Sequence, residues 1–263
     1  MSTKTLCLAH IPYLNSFPFY HGLSLPERFG LSEINPREAA KGMESGEIIA
    51  APIPLVAYLR NQDKYDRLGH FGIASRGRAH STILFSRRPV KQMDGALIGV
   101  SDATTTTVCL LRLILEHRYK LVPARYQRGD KPEDPNLDAL LLIGDDALRF
   151  AQTNKLYPFE VDVAFEWWLW QHLPCVFAVW AVRKDVPADD RKRLEAAVAR
   201  ALSQNQPAFD ALAQDVAPKY GMRPEDVSAY WSGFSYRFGK LEEAGLEKQK
   251  ALWEETGLLT WEP

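Results

Sequence analysis

Short apolar runs alternate along the chain with segments of helical periodicity, and this pattern predicts an α/β protein. The apolar runs end at glycine, proline or polar residues, as buried strands do. The predicted strands are 5–9, 48–53, 81–86, 96–100, 124–127, 139–144 and 175–182. The predicted helices are 36–46, 56–61, 108–118, 145–150, 166–172, 188–205, one that starts at Pro224, and 240–256. Strands that alternate with helices are typical of largely parallel sheets.

Two segments, near 87–90 and 178–184, are candidates for crossings between two lobes. They predict a discontinuous lobe 1 of residues 1–88 and 181–263, which includes the C-terminal helices, and a lobe 2 of residues 89–180. We expect a ligand in a cleft between the lobes, beyond the carboxyl ends of the strands.

Hydroxyl side chains are concentrated between the strand that ends at Val100 and the helix predicted from Val108. A helix N-terminus presents unpaired N–H groups and the positive end of a dipole, so added hydroxyl donors would form a carboxylate or phosphate site. The alternative is that one or two of these residues only cap the helix. Four consecutive threonines are poor helix formers, which favours anion binding. The candidate substrate-binding residues here are Ser101, Thr104, Thr105, Thr106 and Thr107.

Polar residues also lie at the ends of other predicted strands. Asn15 follows the first strand, among aromatic residues that either wall an unsaturated ring or pack in the core while Asn15 forms an Asx-turn. Ser81 begins a strand and is a candidate for facing the ligand. Gly144 and Asp145 end another strand, where Asp145 is either a site carboxylate or, the favoured interpretation, the N-cap of the next helix.

Composition narrows the possible partners. Lysine and arginine number 32 and aspartate and glutamate 33, and this balance argues against nucleic acid or an anionic membrane as a partner. Neither a signal peptide nor an apolar run of about 20 residues is visible, so we expect a cytoplasmic protein. No nucleotide-binding, zinc-binding or nucleophile-elbow motif is present, so no cofactor and no metal are expected. The pattern does not indicate an oligomeric state.

Together these segments resemble the MqnA/MqnD family of the futalosine route to menaquinone. The resemblance depends on the order and spacing of motifs across most of the chain. The motifs are Tyr13-Leu-Asn-Ser-x-Pro, Ile53-Pro-x-x-x-Tyr, Gly77-x-x-x-Ser, the Ser/Thr cluster before Val108-x-Leu-Leu, Ile143-Gly-Asp-Asp-Ala-Leu, and Leu173-Pro-x-Val-Phe-Ala-Val-Trp180. The chain departs from the family pattern at Leu55, Gln171, His172 and Cys175.

The resemblance implies a two-lobed fold of the type II periplasmic-binding-protein class. It also implies a cofactor-free lyase that converts chorismate to 3-[(1-carboxyvinyl)oxy]benzoate and water. We expect Thr104, Thr106 and Thr107 to hold one substrate carboxylate. Asn15 and Ser81 are then the catalytic candidates, which hold the other carboxylate or the leaving hydroxyl. The enolpyruvyl carboxylate of the substrate is the expected proton acceptor.

Two other functions stay open. A non-catalytic solute-binding or sensor protein for a small carboxylic acid would have the same architecture. The sister activity of the family, 1,4-dihydroxy-6-naphthoate synthase, is the second alternative. That enzyme carries a histidine–glutamate pair where this chain has Gly144 and Asp145, which favours the dehydratase. The departures at Leu55 and Cys175 leave room for a different substrate.

Overall fold

A computed structural model of the protein describes residues 6–129 and 131–263, which form two β-sheets with flanking helices. The strands are β1 (Leu6–His10), β2 (Phe29–Glu33), β3 (Ile48–Pro54), β4 (Tyr65–Ser75), β5 (Thr82–Ser86), β6 (Leu97–Val100), β7 (Arg125–Arg128), β8 (Ala139–Ile143), β9 (Phe159–Asp162), β10 (Cys175–Arg183) and β11 (Phe234–Arg237). The start of the first predicted strand, residue 5, lies outside the described residues.

Helices connect most of these strands and dominate the C-terminal third. They are α1 (Phe17–Tyr20), α2 (Pro36–Ser45), α3 (Leu55–Arg60), α4 (Thr106–Leu113), α5 (Gly144–Thr153), α6 (Val163–Gln171), α7 (Ala188–Asn205), α8 (Phe209–Val216), α9 (Pro224–Ser232) and α10 (Lys240–Glu255). A 3-10 turn, Leu14–Ser16, precedes α1, and a π-helical turn, Ile114–Arg118, continues α4.

Local signals explain why several helices have the bounds that the sequence predicts. At the start of α2, Asn35 Oδ1 accepts from the Glu38 amide at 2.9 Å, and the Glu38 carboxylate accepts from the Asn35 amide at 3.2 Å. This reciprocal capping satisfies two amides that the helix leaves unpaired. The helix ends at Gly46, whose φ of 84° suits glycine. The predicted helix 188–205 is confirmed as α7, which buries Leu194 and Val198 along one face.

The chain divides into two compact units. Unit 1 contains the described residues up to Ala74 together with Phe177–Gly239. Its sheet has the order β11-β4-β10-β3-β1-β2, in which β1 is parallel to β2 and β3, while β10 is antiparallel to β3. An aromatic cluster fills its core, where the Phe19 ring meets Trp180 at 5.7 Å and Tyr236 at 5.3 Å edge-on.

Unit 2 contains Ser75–Val176 and Lys240–Pro263. Its sheet has the order β7-β6-β8-β5-β9. Strand β6 is parallel to β7 and β8, whereas β5 is antiparallel to β8 and β9. Both sheets are therefore mixed, which corrects the prediction of largely parallel sheets. Ile83, Phe85 and Leu140 belong to the apolar core on one face of this sheet.

The predicted lobe boundaries also need correction. Residues 177–180, predicted in lobe 2, belong to unit 1, which also contains α7, α8 and α9. Residues 75–88 and helix α10, predicted in lobe 1, belong to unit 2. Strand β5 belongs there because it pairs with β8 and β9. Helix α10 belongs there because Gln249 Oε1 accepts from the Val176 amide at 2.7 Å and its Nε2 donates to the Val176 carbonyl at 3.1 Å. The chain passes between the units within β4, within β10, and between Gly239 and Lys240, whereas the first crossing was predicted near 87–90 and no third passage was predicted.

Candidate functional site

One edge of the unit 2 sheet brings together most of the predicted site residues. Strands β6 and β8 end there, and β5 begins there because it runs antiparallel to β8. Across this edge the Ser101 amide donates to the Leu141 carbonyl at 3.1 Å, and the Gly144 amide donates to the Ser81 carbonyl at 2.7 Å. Ser81, Ser101 and Gly144 therefore lie on adjacent strands, and we call this region the hydroxyl-rich edge.

The β8–α5 junction contains Gly144 and Asp145, the first two residues of α5. Gly144 has φ of 59°, a left-handed conformation that glycine adopts without the strain of a side chain. Asp145 is the second residue of α5, whose N-cap is Ile143 and whose N-terminus has no side-chain cap. The N-cap interpretation of Asp145 is therefore wrong. Its side chain is buried, at 6% exposure, beside the hydroxyl-rich edge.

The segment from Ser101 to Thr107 forms a tight turn that leads directly into α4. The Thr104 amide donates to the Ser101 carbonyl at 3.1 Å, and the Ala103 amide donates to the Ser101 hydroxyl at 3.3 Å. Helix α4 begins at Thr106, two residues before the predicted start, and no side chain caps its N-terminus at Thr105. The alternative in which a hydroxyl merely caps this helix is therefore not what the structure shows.

Two hydroxyl groups at this edge are buried without a partner. Thr104 is fully buried, and its Oγ1 has no hydrogen-bond partner among the described protein atoms. Oγ1 of Thr82, the first residue of β5, is also a buried atom without a hydrogen-bond partner among the described protein atoms. An unsatisfied buried hydroxyl costs about 1–3 kcal/mol, a cost that a bound acceptor would remove. Thr106 and Thr107 are also buried, whereas Thr105 is half-buried.

Arg128, which ends β7, supports this turn and was not found by sequence reasoning. Its Nη1 lies 3.3 Å from the Thr104 carbonyl oxygen and 3.5 Å from that of Asp102. Its Nη2 lies 3.0 Å from a carboxylate oxygen of Glu262 near the C-terminus. The guanidinium group therefore connects the C-terminal segment to the backbone that presents Thr104.

Asn15 lies in unit 1, in a turn that we call the Asn15 turn, Tyr13–Phe17. The Ser16 and Phe17 amides both donate to the Tyr13 carbonyl, at 2.9 and 3.2 Å. Trp231 fixes the turn from outside, since its Nε1 donates to the Leu14 carbonyl at 2.7 Å. The Asn15 Oδ1 accepts from the Ser16 hydroxyl at 3.2 Å, and its Nδ2 has no hydrogen-bond partner among the described residues.

The aromatic residues near Asn15 were predicted either to line a ligand site or to pack in the core, and the structure divides them between core and partly exposed positions. Phe19 is fully buried and Tyr20 is nearly so, with its hydroxyl donating to the Ala9 carbonyl at 3.0 Å, so these two are core residues. Phe17 is half-buried and stacks on Trp231, with ring centroids 5.0 Å apart and an interplanar angle of 8°. Tyr13 is also half-buried.

Residues 6–129 and 131–263 contain neither a metal-binding cluster nor a membrane-spanning helix. No group of three or more histidine, cysteine, aspartate or glutamate side chains there is placed to hold a metal ion. No helix within these ranges has the length and apolar character needed to cross a membrane.

Comparisons with known proteins identify a family and a similar enzyme. Residues 6–255 match the profile of a family described as menaquinone biosynthesis. The chain is 30% identical over 262 residues to a chorismate dehydratase of Thermus thermophilus, an alignment that covers 94% of this chain and 93% of that protein.

Solved structures show the fold. Protein AF1704 of Archaeoglobus fulgidus superposes with a TM-score of 0.71 at 20% identity, over 98% of this chain and 100% of that one. The alkanesulfonate-binding protein SsuA of Xanthomonas axonopodis pv. citri gives 0.70 at 12% identity, over 98% and 94% of the two chains. The periplasmic aliphatic sulphonate binding protein SsuA of Escherichia coli gives 0.66 at 12% identity, over 99% and 95%. The predicted periplasmic-binding-protein-like fold is confirmed.

Proposed function

Since this chain belongs to the menaquinone biosynthesis family, we propose that it is a chorismate dehydratase. It would be a carbon–oxygen lyase that converts chorismate to 3-[(1-carboxyvinyl)oxy]benzoate and water without a cofactor. The observation that carries the proposal is the 30% identity to the Thermus thermophilus chorismate dehydratase over 94% of the chain. A cytoplasmic location belongs to the same proposal.

The reaction sets three requirements for a protein site. A proton leaves the ring carbon that bears the ether, its electron pair forms a new C=C bond, and the neighbouring C–O bond breaks to release water. The ring becomes aromatic, which drives the reaction forward. The site must hold a dianion, donate a hydrogen bond to the leaving hydroxyl, and stabilise negative charge that spreads towards the ring carboxylate.

The hydroxyl-rich edge supplies donors for a substrate carboxylate. In this proposal the Thr104, Thr106 and Thr107 hydroxyls and the first amides of α4 bind one carboxylate, flanked by Ser101 and Thr105. Hydrogen bonds to an ionised acceptor are about twice as strong as neutral ones, and they would satisfy the Thr104 hydroxyl that otherwise has no partner. Neutral donors also avoid the desolvation cost of a buried cation.

Asn15 and Ser81 are assigned to the other carboxylate or to the leaving hydroxyl. The Asn15 Nδ2 group is an available donor, and the Ser81 hydroxyl donates to the Ala79 carbonyl at 3.3 Å. Gly144 uses its amide to hold Ser81 in place. Asp145 is assigned to a substrate hydroxyl, because a carboxylate beside a substrate carboxylate would repel it.

The proposed proton acceptor is the enolpyruvyl carboxylate of the substrate itself. The protein then contributes position, desolvation and hydrogen bonds rather than a base of its own. A substrate in which this carboxylate is replaced by an amide is expected to bind and not react.

Incubation of the purified protein with chorismate tests the proposal. Mass spectrometry and ultraviolet absorbance should show an aromatic product that lacks one water, formed faster than in a protein-free control. Binding of chorismate without turnover would replace the enzyme by a carboxylate-binding or sensor protein. Absence of both binding and turnover would exclude chorismate as the ligand.

A further inference from the structure

Asp162 is a buried carboxylate at the hydroxyl-rich edge that the proposed reaction does not yet use. It ends β9, where it pairs with Ile83 of β5, and its side chain is 4% exposed. One oxygen, Oδ2, accepts from the His80 amide at 2.8 Å. The other, Oδ1, accepts from the Phe165 amide at 3.1 Å and so caps α6. The carboxylate therefore ties two separate segments together.

The segment on the Oδ2 side is the Ser81 turn, defined as Gly77–Ser81. The donor in this turn is the His80 amide, which binds Asp162 Oδ2. His80 has φ of 59°, a left-handed conformation that is costly for a residue with a side chain and persists only when its surroundings hold it. Asp162 provides that support.

A backbone hydrogen bond connects the Ser81 turn to the start of α5. The Ser81 carbonyl accepts from the Gly144 amide at 2.7 Å, so the position of Ser81 and the start of α5 depend on each other. A shift of the His80 amide would move Ser81 and release this bond. The connected groups are thus the Asp162 carboxylate, the His80 amide, the Ser81 carbonyl and the Gly144 amide.

Burial disfavours the ionised form of the Asp162 carboxyl, and hydrogen bonds from backbone amides stabilise that form. Burial raises the pKa of the Asp162 carboxyl above its usual range, while the amide hydrogen bonds from His80 and Phe165 act in the opposite direction. Burial of a carboxylate costs free energy unless the carboxylate is hydrogen-bonded. The capping of α6 alone therefore does not explain why an aspartate is buried at this position. Serine would cap α6 at lower desolvation cost.

We propose that Asp162 is a positioning residue that fixes the Ser81 turn, and with it the Ser81 hydroxyl and the Gly144 amide, in the geometry needed for turnover. This inference rests on the proposed function, because the role of Ser81 in the reaction is assigned there. Asp162 acts through backbone groups and does not itself contact substrate.

The test variant is Asp162→Asn, which keeps the shape but turns one acceptor oxygen into a donor that faces a backbone amide. Its matched control is Asp138→Asn, because Asp138 Oδ2 also accepts from a strand-end amide, that of Leu97, at 2.9 Å, but at the start of β6 and so at the opposite edge of the same sheet. We expect kcat of Asp162→Asn to fall about 10- to 100-fold with KM changed little, since misplacement of a catalytic group costs up to about 100-fold. Asp138→Asn should keep the wild-type kcat.

Amide hydrogen exchange gives a readout that does not need the reaction. Exchange at His80 and Gly144 should accelerate in Asp162→Asn and stay unchanged in Asp138→Asn. If Asp162→Asn does not fold, Asp162→Ser replaces it, because serine retains an acceptor for the α6 cap and loses the second oxygen.

The outcomes separate the two proposals. If the wild-type protein converts chorismate and Asp162→Asn or Asp162→Ser keeps the wild-type kcat, the positioning role is overturned while the proposed function stands. If the wild-type protein does not convert chorismate, the proposed function fails. Amide exchange by itself then decides the positioning role. Faster exchange at His80 and Gly144 supports Asp162 as the residue that fixes the turn, and unchanged protection overturns it.

Discussion

The Asn15 turn of unit 1 and the hydroxyl-rich edge of unit 2 present polar groups in different ways. In the Asn15 turn one amide side chain stands on a backbone that is fixed by Trp231, through a 2.7 Å hydrogen bond to Leu14 and a stacked Phe17 ring. At the hydroxyl-rich edge many donors converge, and the hydroxyls of Thr82 and Thr104 are buried without partners.

The difference indicates which structural feature prepares each region to bind a substrate. The Asn15 turn is pre-organised by aromatic packing, so a change at Asn15 should alter activity and leave stability almost untouched. The hydroxyl-rich edge carries two buried hydroxyls without a partner among the described protein atoms, so removal of such a hydroxyl should raise stability and weaken binding. Three variants test this contrast, in order of expected effect.

Asn15→Ala should cause the largest loss. If Asn15 donates to charge that develops during the reaction, turnover of chorismate should fall about 100- to 1,000-fold. The melting temperature should stay within a few degrees, because Asn15 is partly exposed and the turn is held by other groups. Kinetics and thermal denaturation of one preparation measure both.

The matched control for this variant is Asn35→Ala, in the same unit. Asn35 caps α2, and loss of the cap should cost about 1 kcal/mol of unfolding free energy while turnover stays unchanged. Wild-type activity in Asn15→Ala would show that Asn15 is not part of the site. The proposed functional role of the Asn15 turn would then be wrong.

Thr104→Val should show opposite signs for stability and binding. Valine has the shape of threonine and removes a buried hydroxyl that has no partner, so the free energy of unfolding should rise by about 1 kcal/mol. Affinity for chorismate should fall about 10-fold, equivalent to about 1.4 kcal/mol. Denaturant titration and calorimetric binding provide the two quantities.

The control here is Thr153→Val, an exposed position at the end of α5 whose hydroxyl has only long contacts of 3.5 Å to helix carbonyls. It should change neither quantity appreciably. A Thr104→Val protein that is destabilised and binds normally would mean that the Thr104 hydroxyl has an internal structural role.

Arg128→Lys should have the smallest effect. Lysine retains the charge but cannot bridge the Thr104 carbonyl and Glu262 as a planar guanidinium does. The Glu262 side chain is 53% exposed, so this ion pair is worth about 1 kcal/mol at most, and KM should rise about two- to fivefold. Steady-state kinetics of Arg125→Lys, an exposed arginine of the same strand, serve as the comparison. Equal KM values for the two variants would show that the turn does not need Arg128.

Elements with a strong local signal were predicted well. Helix α7 follows the apolar periodicity between Pro187 and Asn205, and α2 begins at a capping motif and ends at Gly46. Strands β3, β6 and β8 are continuous apolar runs and were found within one or two residues. Strands β2, β4, β9 and β11 were missed. Strands β2, β9 and β11 have only four or five residues, and the first half of β4 carries Asp66, Arg67 and His70, so that no sustained apolar pattern of a strand is visible.

The candidate site was predicted in part. The structure brings Ser81, Ser101, Thr104 and Gly144 to one edge of the unit 2 sheet, although their roles in catalysis stay proposals. Asp162 was missed, yet its place immediately before an apolar helical segment is an N-cap signal that could have been used. Arg128 had no sequence signal, since its contact with Glu262 joins residues 134 positions apart.

The sequence by itself determined the fold class, the family resemblance and the presence of a hydroxyl cluster between a strand and a helix. These depend on periodicity, caps and short motifs, which are interactions between near neighbours in the chain. Only the tertiary structure decided that Ser81 belongs with the threonines in unit 2, that the Thr104 hydroxyl has no partner, and that Asp162 holds the Ser81 turn. Such facts depend on which distant strands pair and in what register, and long-range pairing depends on the whole packed core rather than on any local pattern.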